Sequence, residues 1–120
     1  MATNDTYLAV FTGKKSSPRW KAWDAMSAEQ RSAKEKEGMA AWGAWMEKHK
    51  GAITYEGGPL GKTKRASGEG VADVSNELAT FIVVRASSHE QAAKMFEGHP
   101  HFTIFPGERV EIMPVLPIPA

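Results

Sequence analysis

A chain of 120 residues has the commonest size of a single domain, and 42% apolar with 24% charged residues is ordinary globular composition. With 15 basic residues against 14 acidic ones the formal charge is +1, so no strong field draws nucleic acid or an anionic membrane. The lack of cysteine excludes disulfides, thiolate nucleophiles and cysteine metal sites, and it fits a reducing compartment.

Met1 to Thr6 are polar and carry no basic segment ahead of an apolar run, so a secretory leader is not expected. No stretch approaches the ~20 apolar residues of a membrane-spanning helix, and a cytoplasmic protein with one domain over residues 1–120 is the expectation. Tyr7-Leu8-Ala9-Val10-Phe11-Thr12-Gly13 predicts a first strand that is apolar on both faces. Ser17-Pro18 caps and opens a single helical turn that places Trp20 and Trp23 on one side. Ser27 and Gln30 have the spacing of a capping box and start a longer helix. Its first half is a solvated charge run. Its second half carries Met39, Trp42, Trp45, Met46 and His49 at helical spacing, a face made to dock on a sheet, before Gly51 ends it.

Ala52 to Glu56 alternates as an edge strand does, with one wet face. Gly57-Gly58-Pro59-Leu60-Gly61 predicts a turn, and Lys62 to Glu77 a long mobile hairpin connection with a short pairing near Gly70 to Val74. Ala79-Thr80-Phe81-Ile82-Val83-Val84 is the continuous run of a strand covered on both sides. Ser87 with Glu90, or Ser88 with Gln91, opens a second helix whose apolar side is Ala92, Ala93, Met95 and Phe96 and whose end is Gly98. A last strand runs from about Arg109 to Val115.

This order predicts an α+β domain of the ferredoxin-like, split β-α-β-β-α-β type: a four-stranded antiparallel sheet with two helices on one face. The first and third strands, apolar on both sides, take the central places of that topology. Helices cover one face only, so the other would expose an apolar patch that demands a partner. A second copy packed face to face supplies it, making a homodimer, with the proline-rich tail Pro114 to Ala120 lying at the contact.

The strand YLAVFTG, the helix end AWGAWMEKHKGAI, the turn EGGPLG, the strand ATFIVVRASSHEQA, and GHPHF followed by ERVEIMPV together resemble the YCII-related domain family over Tyr7 to Val115. The resemblance implies a ferredoxin-like fold assembled as a dimeric α/β barrel. Some members of that family have a His-Asp pair proposed as the active site. The helix histidine would fall near Ala41 or Trp42 here, and no Asp follows Gly58-Pro59 before Asp73, so that pair is not carried over.

His99-Pro100-His101 is the most suggestive local feature, since two imidazoles beside a helix end can serve as base, as anion contact or as caps of the last carbonyls. A metal site needs three or four ligands, so neither metal nor cofactor is expected. His49, in the last turn of the long helix, reads as a capping group. Trp42 and Trp45 fill a core or line a pocket. Lys14, Lys15, Arg19, Trp20 and Lys21 read as a solvated loop, because Asp24 and Glu29 break any basic stripe. The glycines at 57, 58 and 61 lack the ending of a phosphate loop. Trp42, Gly58, Pro59, His99 and His101 are thus the candidate site at one end of the barrel, binding or converting a small molecule with a histidine as general base. The alternative is a non-catalytic homodimeric binding or regulatory module, and whether the protein is an enzyme stays open.

Overall fold

The computed structural model describes residues 5–119. The start of the polar N-terminal segment, Met1 to Asn4, and Ala120 of the tail lie outside the described residues. β1 (Thr6–Thr12) lies between β5 (Leu78–Arg85) and β6 (Arg109–Pro114), and β2 (Ile53–Pro59) flanks β5. All pairings are antiparallel, giving a four-stranded sheet of order β2-β5-β1-β6, consistent with a ferredoxin-like α+β fold. The two runs that are apolar on both faces are the central strands.

Strand alternation decides what each face does. Tyr7, Ala9 and Phe11 of β1 stand beside Val84, Ile82 and Thr80 of β5, and the core residues among them bury one face. Trp45, Ala92 and Phe96 complete the same core from the helical layer. That layer comprises α1 (Pro18–Ala25), α2 (Ala28–Lys48), α3 (His89–Lys94) and α4 (Pro100–Thr103). The opposite face carries Leu8, Val10, Phe81 and Val83, all half-buried, flanked by Tyr55 and Met113, which are 61% and 41% exposed. No helix among the described residues is long and apolar enough to cross a membrane.

The capping box at Ser27 is formed in full: its hydroxyl accepts from the Gln30 amide at 3.1 Å and its own amide donates to the Gln30 side chain at 2.9 Å. Ser17 and Ser88 cap α1 and α3 in the same sense. Three expectations need correcting. The segment after Ser17 continues for eight residues, more than one turn. Helix α3 stops at Lys94, because Gly98 at φ 69° turns the chain and Pro100 then opens the separate helix α4. The pairing expected near Gly70 to Val74 is present as a hairpin of β3 (Thr63–Ser67) and β4 (Gly70–Val74), a separate two-stranded sheet with Lys64 and Asp73 paired across it at 2.6 Å.

Gly57, Gly58 and Pro59 make no turn; they extend β2, whose register against β5 slips twice, between Ile53 and Tyr55 and between Tyr55 and Gly58. Each slip is a β-bulge that bends the edge strand. Gly57 sits at φ 62°, and a Cβ there would collide with the carbonyl of Phe81. Gly58 has open space around it. Gly57→Ala should therefore destabilise the fold by about 2 kcal/mol or more, while Gly58→Ala should change it by less than about 0.5 kcal/mol. Urea midpoints of the two variants check this, and equal midpoints would refute the bulge geometry.

Candidate functional site

The second half of α2 turns Met39, Trp42 and Met46 toward the bent edge of the sheet. Opposite them stand Thr80 and Ile82 of β5, Glu56, Gly58 and Pro59 of β2, and the ring of Phe11. Together with Phe105, which follows α4, they enclose a cleft of about 340 Å³ whose walls are almost wholly apolar. The bulged strand contributes backbone at Gly58 where a regular strand would present a side chain.

Phe105 is seated by two features that its sequence neighbourhood does not advertise. Gly38 is buried on α2, and a Cβ at that position would collide with the Phe105 ring. The ring also packs against Trp42 and Trp23, at centroid distances of 6.1 Å and 5.8 Å. The guanidinium of Arg19 donates to the backbone carbonyls of Phe102 and Phe105 and so ties α1 to this loop. The cation assigned to a solvated loop is thus a tether.

Trp42, Gly58 and Pro59 line one cleft. His99 and His101 do not line it: they stand one layer behind, between the sheet and the helices. His99 is fully buried, with Trp42 at 4.5 Å, Trp45 at 4.9 Å and Phe11 at 5.0 Å between ring centroids. Its Nδ1 accepts the amide proton of His101 at 3.0 Å, so it caps the start of α4 and not the end of the preceding helix. With Nδ1 accepting, the neutral ring carries its proton on Nε2, which has no hydrogen-bond partner among the described residues. Burial among aromatic rings, with His101 and His49 adding to it, holds the pKa of His99 down to about 3.

His101 donates from Nε2 to the carbonyl of Thr12 at 2.7 Å, pinning the end of β1, and a Cβ at Gly107 would strike its ring. Burial lowers its pKa as well, opposed by the hydrogen bond to Thr12 and assisted by Arg19. His49 occupies the C-cap of α2, with its ring 4.6 Å from that of Trp45 and its pKa lowered by burial and by Lys48. Among the described residues no three His, Cys, Asp or Glu side chains are grouped to hold a metal ion. Among the described residues, Glu56 is the only ionisable side chain on the cleft wall, and it belongs to the segment expected as an edge strand with one wet face.

No family model and no curated protein matches the chain. Among solved structures it is similar to the 5-chloro-2-hydroxyhydroquinone dehydrochlorinase of Burkholderia phenoliruptrix AC1100 in complex with 2,5-dihydroxybenzoquinone, with a TM-score of 0.51 and 15% identity over 90% of each chain. At that identity the likeness is one of fold.

Because His99 is neutral in the native state down to about pH 3 but titrates near 6.5 when unfolded, the unfolded chain binds the extra proton between those values. Its contribution to stability is complete above pH 6.5 and declines as the pH falls below it, by about 1.4 kcal/mol per pH unit. His99→Asn keeps an acceptor for the α4 cap and removes the titrating group. Urea unfolding at about pH 7.5, 6 and 5 should show the wild-type slope reduced by about that amount in His99→Asn; an unchanged slope would place His99 in contact with water.

Proposed function

We propose that the protein is a YCII-like homodimer of ferredoxin-like subunits, each of which binds a small aromatic molecule in the cleft beside α2. The observation that carries this reading is the cleft itself: about 340 Å³ bounded by Phe11, Met39, Trp42, Met46 and Phe105, with polar groups only where β2 and β5 meet. Small-molecule pockets have this character, apolar walls with few polar groups, in a range of about 300–1,000 Å³. The dehydrochlorinase of similar fold is in complex with a single-ring quinone, a ligand of the size class this space accepts.

Binding is favoured over conversion. The Nδ1 lone pair of His99 is engaged by the His101 amide and Nε2 of His101 by the Thr12 carbonyl, and neither ring is on the wall, so a histidine general base finds no geometry here. A non-catalytic carrier, sensor or regulatory role follows. A cytoplasmic setting suits a chain without cysteine.

The dimer is proposed from the uncovered sheet face. Leu8 lies between Val83 and Met113 in register, and Val10 between Phe81 and Glu111, so apolar side chains run across three strands. The β3–β4 hairpin forms a two-stranded sheet of its own, and an isolated two-stranded ribbon is marginal in water. The chain's radius of gyration is 16.5 Å, against about 14 Å for a compact chain of this length. An uncovered apolar face and a projecting arm are both accounted for by a second copy.

Isothermal titration with neutral one-ring and two-ring aromatics tests the cleft. Saturable binding is expected, weakened about tenfold or more by Met39→Arg, which puts a charge at a position 64% exposed and so spares the fold. Absence of binding by every compound would sink the reading. Sedimentation tests the assembly: the wild type should be a dimer and Val83→Asp a folded monomer, whereas Val84→Asp, on the buried face, should not fold.

A further inference from the structure

Resting on the cleft reading above, we infer that the ligand carries its polar group as a cation, an aryl-alkyl ammonium, held at the rim by Glu56. The wall offers one carboxylate and no lysine, arginine or histidine, so a carboxylate or phosphate ligand would lose its hydration and meet only repulsion. An ammonium meets the opposite sign.

Two further observations point the same way. Among the described residues Glu56 enters no salt bridge. Lys50 lines the adjoining depression together with Glu56, and its ammonium is paired with Glu47 at 2.8 Å. The carboxylate at the rim is therefore available. Behind it, Phe11, Trp42 and Phe105 line the cleft and give an apolar bed for the flat body of an aromatic ligand. The ring enters toward Trp42 and the charged end stays at the exposed Glu56, so only part of the ammonium hydration is given up. The hydroxyl of Thr80, also on the wall, can accept from the same group.

Tryptamine, tryptophol and indole-3-acetate share a ring system and differ in the charge of the side-chain end, and they serve as the probes. Calorimetric titration at neutral pH should find the amine bound most tightly and the acid at least about tenfold more weakly than the amine. Glu56→Gln, a near-isosteric change on an exposed edge strand, should bring the amine within about threefold of the alcohol and leave the alcohol unchanged. Equal binding of amine and acid, or a preference that survives Glu56→Gln, would overturn the role of Glu56 while leaving the cleft as a binding site. Failure of all three to bind would overturn both.

Discussion

The structure depends on what surrounds the ring of Phe11. That side chain is 1% exposed, and it contacts Trp42 in a stacked pair at 5.4 Å, Phe96 edge-on at 5.8 Å, His99 at 5.0 Å and His101 at 5.2 Å. One residue of the central strand thus meets the long helix, the turn after α3 and the start of α4. Edge-on and offset ring pairs add to the burial of area, so this knot is where the sheet and the helical layer are held in one arrangement. It also forms part of the cleft wall. The cleft is accordingly not a loop feature added to a scaffold but a part of the core left unfilled, and its shape inherits the rigidity of close packing.

Burying His99 in that knot has a chemical consequence. A neutral imidazole with one nitrogen unpaired is a costly thing to enclose, and the structure offsets the cost only in part, through the Nδ1 cap of α4 and T-shaped contacts with Trp42 and Trp45. The same apolar surroundings that disfavour protonation also keep water and solutes from the ring. A histidine in this position packs against Trp42 and stands off the cleft wall. The His-Pro-His sequence looks like chemistry because imidazole usually is chemistry, and only the three-dimensional surroundings distinguish a base from a brace.

Much of the architecture was legible because it is written in periodicity and capping. The two-sided apolar runs at Tyr7 to Thr12 and Ala79 to Val84 are the central strands, and Ser27 with Gln30 marks the start of α2, since those patterns follow from local geometry alone. What escaped the reading depends on contacts distant in sequence. Gly57 has the composition of a turn, and only the proximity of the Phe81 carbonyl reveals that it forms a bulge inside a strand. Phe105 sits among residues without periodicity, and its place on the wall is set by the missing side chain of Gly38, more than sixty positions away on α2. Trp42, Gly58 and Pro59 line one cleft although Gly58 and Pro59 were expected in a turn and stand in β2; the histidines could not be oriented, because α4 was not foreseen.

The two proposed surfaces share one strand. Along β5, Thr80 and Ile82 point into the cleft while Phe81 and Val83 alternate onto the open face. Strand β2, which completes the cleft, is joined to the sheet only through β5 and is weakened there by two bulges. An edge strand with an interrupted ladder is the element most free to shift, so covering the open face, where Tyr55 of β2 leans on Phe81 at 5.8 Å, restrains both strands together. In the dimer the rim that carries Glu56 would then be fixed by contacts on the far side of the sheet. In the proposed dimer, assembly and ligand binding would draw on the same two strands, and each would lower the entropy that the other has to overcome.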